Sequence, residues 1–177
     1  MKKKFPVLML CMLLLLTLSA ACAKKEGSAA LKNAEALPFQ AYSLDDGEEK
    51  TADLLKENEL NLCVIWQPGC PPCEAELRFL EEESKSCEGV AGIPLGIAES
   101  LEAARETAEN WQLQSSAFYC GDDFFQYLKE EKNLERTPTL YFLDAEACEK
   151  RPAMQGFSEE NKEEIRAFLS SYKKDGV

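Results

Sequence analysis

The chain has 177 residues, 45% of them hydrophobic, which is enough for one domain with an ordinary core but not for two full-sized domains. Its formal net charge of −12 argues against a nucleic-acid partner, because phosphate contacts need a basic surface. The absence of histidine excludes Cys–His and Ser–His catalytic pairs and histidine-ligated metal sites. Proton transfer near neutral pH must therefore use a cysteine, carboxylate or lysine with a shifted pKa.

The first 21 residues have the pattern of a bacterial secretory signal peptide. Lysines at 2–4 precede an apolar run at 7–16, which is too short for a comfortable membrane span, and three small residues follow. The next residue, Cys22, lies in a context that resembles a bacterial lipobox, although Ser19 stands where leucine is usual. We therefore expect a lipid anchor at Cys22, a tether over 22–36, and a location on the extracytoplasmic face of the membrane. Plain cleavage that leaves Cys22 an ordinary thiol is the alternative.

Residues 37–177 are predicted to form one α/β domain. The turn signal Asp45-Asp46-Gly47 predicts an N-terminal β-hairpin, after which strands alternate with helices. The predicted strands are 37–44, 60–66, 89–98, 116–120, 139–143 and 149–154, and the predicted helices are 73–86, 100–111, 122–132 and one that begins at 158. The apolar stripe of the first helix places Glu81 on its outer side. This order predicts a central mixed sheet with helices on both faces.

The strongest functional signal is the pair Cys70 and Cys73, which lies between a buried strand that ends at Trp66 and the start of a helix. This is the thioredoxin arrangement. The helix N-terminus favours a thiolate at Cys70, and Cys73 lies one turn further, within reach of a disulfide. We predict that Cys70 attacks a disulfide and that Cys73 resolves the mixed disulfide. Structural zinc is the generic alternative, but it needs a second cysteine pair that the chain lacks.

The residues that surround the pair favour a reductant over a strong oxidant. Pro71 and Pro72 remove two amide donors that could stabilise a Cys70 thiolate. Glu76, on the first turn, is expected to add negative charge nearby. Both effects predict that the pKa of the Cys70 thiol is lowered only moderately, as in a reducing couple. A thiol oxidant of the same fold is the alternative within the enzyme class.

Several motifs in order carry a resemblance to a known family. They are the strand end at Trp66, Cys70-Pro-Pro-Cys73, Glu76, Thr137-Pro138 and the late Gly156. Over residues 37–169 the chain resembles the TlpA/ResA-like family of membrane-anchored thiol–disulfide oxidoreductases, which have a thioredoxin-like fold. One departure is Gly69, which stands where the family usually has an aromatic residue.

The resemblance implies roles for residues beyond the cysteine pair. It implies a cis peptide before Pro138, substrate-binding roles for Trp66, Thr137 and Pro138, and a catalytic role for Glu76. It also implies reduction of disulfides in exported proteins, which in some members include apocytochrome c, with electrons from a membrane partner and no cofactor or metal. A lipoprotein that keeps the fold but only binds peptides or a partner is the rival from another class.

Four further cysteines lie in the predicted domain. Cys63, inside a core strand, is expected to be a small buried hydrophobe. Cys87 and Cys148 are expected at the pole opposite the active site, where a disulfide between them is an open alternative. Cys120 is expected to end its strand toward the active site, either as an inert thiol or as a third redox participant.

Overall fold

The structure is a computed structural model that describes residues 36–113 and 115–175. The predicted signal peptide, Cys22 and the tether up to residue 35 lie outside the described residues. Within these residues the strands are β1 (Gln40–Ser43), β2 (Glu49–Thr51), β3 (Leu60–Trp66), β4 (Val90–Gly96), β5 (Phe118–Cys120), β6 (Thr139–Leu143) and β7 (Glu149–Gln155). The helices are α1 (Pro71–Lys85), α2 (Leu101–Asn110), α3 (Asp122–Glu131) and α4 (Glu159–Asp175), with a short 3-10 helix at Ala52–Glu57. Among these helices, none combines the length and apolar composition that a bilayer span requires.

The strands form one mixed sheet in the order β2-β1-β5-β4-β3-β6-β7. β4 lies parallel to both β3 and β5, whereas the other neighbouring strands are antiparallel. Every residue of β3 is buried, as expected for a strand with a neighbour on each side and helices on both faces. The prediction of an α/β domain with a mixed sheet and an N-terminal hairpin is confirmed.

Successive residues of β3 point to opposite faces of the sheet, so each face has its own core. Val64 and Trp66 belong to a core that is covered by α1, α2 and α4, and we call this side the α1 face. Cys63 and Ile65 belong to a second core that is covered by α3 and the 3-10 helix, and we call this side the α3 face. Trp66, the last residue of the strand, therefore lies on the α1 face just before the cysteine pair in the sequence.

Two details of α1 differ from the sequence-based prediction. The helix begins at Pro71 rather than at Cys73, because the first helical positions need no amide donor and so accept proline. Glu81, predicted to lie outside, is only 9% exposed. Its carboxylate accepts a hydrogen bond from the Ser115 backbone N–H at 3.2 Å, which ties α1 to the loop before β5. A contact with a loop 34 residues away leaves no trace in the periodicity of the helix itself.

Candidate active site

The cysteine pair lies where β3 ends and α1 begins. The connecting turn contains Gly69 at φ +69°, a left-handed conformation that favours glycine, and a side chain there would meet open space. Cys70 is the N-cap residue of α1 and forms a disulfide with Cys73, with a Cα–Cα distance of 5.3 Å. Cys70 is 7% exposed and Cys73 is fully buried, so Cys70 is the more accessible residue of the pair. This difference agrees with the predicted roles of Cys70 as the attacking and Cys73 as the resolving cysteine.

The first turn of α1 offers its backbone amides to the Cys70 carbonyl rather than to the Cys70 sulfur. Pro71 and Pro72 have no N–H to donate. The N–H groups of Cys73 and Glu74 donate to the Cys70 carbonyl oxygen at 3.0 and 3.3 Å. Within this turn, the sulfur of Cys70 therefore receives support from the helix dipole but from no hydrogen-bonding amide.

A loop from the other end of the sequence packs against Cys70. The peptide bond between Thr137 and Pro138 is cis, which confirms the prediction. The Thr137 hydroxyl points at the Cys70 sulfur, with an Oγ1–Sγ distance of 3.8 Å. The Gly156 N–H donates to the Pro138 carbonyl oxygen at 2.7 Å and so joins this loop to the end of β7. The two sequence motifs, 67 residues apart, thus form one site.

Thr139 is a residue of this site to which the sequence analysis gave no role. Its buried hydroxyl donates to the Arg136 carbonyl oxygen at 2.7 Å and closes the loop upon itself. Threonine hydroxyls often donate to the backbone carbonyl three residues earlier, so the spacing of Thr139 from residue 136 could have predicted this hydrogen bond.

Glu76 lies one turn beyond Cys73 on the same side of α1 and is completely buried. Among the described residues, neither of its carboxylate oxygens has a hydrogen-bond partner. Burial raises the pKa of this carboxyl from 4.5 to about 8, so at neutral pH it is mostly protonated. The prediction that Glu76 adds negative charge beside the cysteines is therefore wrong, because a sequence position does not reveal desolvation.

Trp66 has no accessible surface and packs against Trp111, with ring centroids 5.1 Å apart. A side chain at Gly96 would come within 2.6 Å of the Trp66 ring, so the indole fills all the space that this glycine leaves. The predicted substrate-binding role of Trp66 is contradicted by this burial. The residue instead forms the floor of the core beneath the cysteine pair.

The four other cysteines of the described residues are free thiols. Burial raises the pKa of the Cys63 thiol and raises that of Cys120 to about 12, so both are inert core thiols near neutral pH. Cys87 is buried on the α1 face, Cys148 lies half-buried in the β6–β7 turn, and both are free thiols. The alternative of a Cys87–Cys148 disulfide is therefore wrong. Among the described residues, no group of three or more Cys, Asp or Glu side chains could hold a metal ion.

The sequence matches no protein-family model and no curated protein closely enough to assign a family. Solved structures do match. A thiol:disulfide interchange protein from Bacteroides sp. is 14% identical, with a TM-score of 0.64 over 80% of this chain and 93% of that chain. A protein described as thiol:disulfide interchange protein DsbE, from Chlorobium tepidum, is 13% identical, with a TM-score of 0.64 over 80% and 98% of the two chains.

A third similar structure is the exposed lipoprotein thioredoxin Etrx1 of Streptococcus pneumoniae. It is 17% identical, with a TM-score of 0.59 over 75% of this chain and 98% of that chain. At these identities the likeness concerns the fold. The chain has the thioredoxin-like fold, and Cys70 and Cys73 form a disulfide at the start of the helix that follows its central strand.

Proposed function

We propose that this chain is a thiol–disulfide oxidoreductase that reduces disulfides in exported proteins. The observation that carries the proposal is the Cys70–Cys73 disulfide at the start of α1, with its more exposed sulfur 3.8 Å from the Thr137 hydroxyl. Cys70 is the more exposed cysteine of the pair, and it lies beside the loop that carries the cis peptide bond before Pro138. The similar structures named as thiol:disulfide interchange proteins support the same chemistry.

The reaction is two successive thiol–disulfide exchanges. In the reduced protein the Cys70 thiolate attacks one sulfur of a client disulfide, forms a mixed disulfide and releases the other client sulfur as a thiolate. Cys73 then loses its proton and attacks the Cys70 sulfur, which releases the second client thiolate. The client gains two electrons and the protein is left with the Cys70–Cys73 disulfide. A dithiol reductant must restore the site, and we propose that a membrane protein supplies it.

Glu76 is suited to exchange the proton of Cys73. Cys73 is fully buried, so water cannot take its proton directly. The Glu76 carboxyl lies one helical turn away, has no other partner, and its pKa of about 8 lies between those of ordinary carboxyls and thiols. We propose that Glu76 accepts the Cys73 proton during resolution and returns it when the site is reduced again.

The first turn of α1 supports the reducing direction. A couple becomes more oxidising as its reduced form gains stabilisation, and hydrogen bonds to the attacking thiolate are one source of it. Pro71 and Pro72 supply no amide, and the amides of Cys73 and Glu74 are engaged by the Cys70 carbonyl. Glu76, mostly protonated at neutral pH, adds no negative charge to this effect.

Reduction of insulin by dithiothreitol, with and without the protein, tests the activity. The wild type should accelerate the reduction, and Cys70→Ser should not. Equal rates for the two proteins, or no acceleration by either, would contradict the proposal and favour a lipoprotein that only binds peptides or a partner. Equilibration with glutathione measures the direction. A potential near that of the strong oxidant DsbA, about −120 mV, would identify an oxidant instead.

We also propose that lipidation of Cys22 holds the domain at the extracytoplasmic face of the membrane. The support is the signal-like segment in the sequence, together with the description of one structural neighbour as an exposed lipoprotein. Metabolic labelling with a radioactive fatty acid should mark the wild type and not Cys22→Ala. Label on both proteins, or on neither, contradicts the anchor.

The clients can be identified by trapping. In Cys73→Ser the mixed disulfide at Cys70 cannot be resolved, so exported proteins should stay joined to it and be recovered without reductant. We expect disulfide-containing exported proteins, apocytochrome c among the candidates. The double variant Cys70→Ser, Cys73→Ser is the matched control and should retain none of them.

A further inference from the structure

Arg136 differs from the other arginines of the described chain. The others each place a guanidinium on a carboxylate, in the pairs Arg78–Glu74, Arg105–Glu102, Arg151–Glu164 and Arg166–Glu83. Over residues 36–113 and 115–175, the exposed guanidinium of Arg136 has neither an ion pair nor a hydrogen bond, and even the adjacent Glu135 makes no pair with it. In a chain with 32 acidic side chains, an arginine without a carboxylate is an exception that needs a reason.

The backbone of Arg136 is held firmly in place. Its carbonyl accepts the Thr139 hydroxyl at 2.7 Å, and the next residue, Thr137, lies against the Cys70 sulfur. The aliphatic stem of Arg136 passes Gly156, where its Cδ lies 3.9 Å from the position of an added Cβ. The guanidinium is thus presented to solvent from an ordered loop, one residue from the group that contacts the attacking sulfur.

The chemistry of this position defines what it would bind. A guanidinium pairs with a carboxylate through two parallel N–H···O bonds, and an arginine without a partner within the protein is free to make them with a client. A client chain that brings its disulfide to Cys70 must pass Thr137, so its residues next to the attacked cysteine come within reach of Arg136. The chain carries 32 acidic against 20 basic side chains, so its net charge repels an acidic client and a local guanidinium is needed to attract a carboxylate.

We propose that Arg136 is a specificity-determining residue, which binds an Asp or Glu side chain next to the client cysteine that Cys70 attacks. The inference rests on the proposed function, because it requires that Cys70 attacks client disulfides. The preferred client is then a protein with an acidic residue beside a reducible disulfide, although the chain that reduces it is also acidic.

Short peptides with one cysteine activated as a 2-pyridyl disulfide can test this. The Cys70 thiolate attacks the peptide sulfur, the peptide–pyridyl S–S bond breaks and a Cys70–peptide disulfide forms. The leaving pyridine-2-thiolate takes a proton from water and is measured by absorbance as 2-thiopyridone. Three peptides differ only in the residue before cysteine, which is Glu, Gln or Lys. The reduced full chain should react with the Glu peptide about threefold to tenfold faster than with the Gln peptide at low salt, the range of a partly exposed charge-assisted pair.

The variants make the assignment specific. Arg136→Gln should bring the Glu-to-Gln rate ratio to about one, and Arg136→Glu should favour the Lys peptide. Lys56→Gln removes the same charge at the opposite end of β3, where Lys56 pairs with Asp53, and should keep the wild-type ratio. The wild-type preference should also fall as salt rises, because the pair is exposed.

Several results would overturn the inference. A wild-type ratio near one, a preference that survives in Arg136→Gln, or the same loss in Lys56→Gln would each show that Arg136 does not select clients. Failure of the proposed function has a different signature, since Cys70 would then react with none of the three peptides.

Discussion

The two faces of the sheet bury cysteines of opposite character. On the α1 face, Cys70 and Cys73 are joined in a disulfide at the start of a helix, beside the Thr137 hydroxyl. On the α3 face, Cys63 and Cys120 lie within strands, are free, and have thiol pKa values that burial has raised. All four are less than 10% exposed, so exposure alone does not separate the reactive pair from the inert one.

Placement in the fold is what separates them. A sulfur at a helix start meets the positive end of the helix dipole, and a second cysteine three residues later lies within bonding distance. For a sulfur buried inside a strand, desolvation is the largest effect on the thiol pKa and penalises the thiolate, as at Cys63 and Cys120. The same residue type, equally buried, therefore gains or loses reactivity through the element that carries it.

Alkylation should show the largest difference between the two faces. In the reduced protein at pH 7, iodoacetamide should modify Cys70 at least about a thousandfold faster than Cys63 or Cys120, because burial leaves almost no thiolate at the latter two. Peptide mass spectrometry over time measures the rates, and unfolded protein should give similar rates at all three. Rates within tenfold of one another in the folded protein would show that burial does not suppress the reactivity of Cys63 and Cys120.

The buried carboxyl on the α1 face should make stability depend on pH. The pKa of Glu76 rises from 4.5 in the unfolded chain to about 8 in the folded protein. Between these values the unfolded chain binds fewer protons, so the stability of the oxidised wild type should fall as pH rises, by up to about 1.4 kcal/mol per pH unit. Denaturant unfolding at pH 5 and pH 8 measures the fall.

Glu76→Gln supplies the matched control for that measurement. The amide is uncharged at both pH values, so the variant should lose this decline and be more stable than the wild type at pH 8. The same dependence of stability on pH in both proteins would show that Glu76 is ionised in the folded protein and that burial does not raise its pKa.

Gly96→Ala tests how tightly the floor of the site is packed. An added Cβ would lie 2.6 Å from the Trp66 ring, and we expect a loss of about 1–3 kcal/mol in the free energy of unfolding. Gly92→Ala, on the same face of the same strand, has nothing within 4 Å and should change stability by well under 1 kcal/mol. Equal losses in the two variants would mean that Trp66 moves aside freely.

Thr137→Val should give the smallest effect. It keeps the shape of the side chain and removes the hydroxyl that lies 3.8 Å from the Cys70 sulfur. We expect reduction of insulin at pH 7 to slow by about twofold to fivefold, as for the loss of one weak hydrogen bond. Thr137→Ser should restore most of the rate, and a Val variant as fast as the wild type would remove Thr137 from the chemistry.

Local sequence patterns predicted most strands and helices and the cysteine site. They did not predict desolvation that is caused by residues distant in the sequence. β3 was predicted to the residue because it is a short apolar run with clear boundaries. The Thr137–Pro138 loop was found because its order after the cysteine pair is diagnostic. The protonated state of Glu76 was missed, since it depends on helices and strands that pack around it from elsewhere in the chain. The burial of Trp66, by contrast, was predicted together with its strand.

The tilted pair of indoles in the core that also holds Cys70 and Cys73 gives the protein an intrinsic fluorescence signal. The chain has two tryptophans, Trp66 and Trp111, and their rings form one cluster 5.1 Å apart. The Arg78 guanidinium donates to the Trp111 carbonyl oxygen at 2.8 Å, which fixes that end of the cluster to α1, the helix of Cys73. All tryptophan emission therefore originates beside the redox pair. We expect it to change when the disulfide opens, so that single turnovers can be followed on unlabelled protein with clients that carry no chromophore.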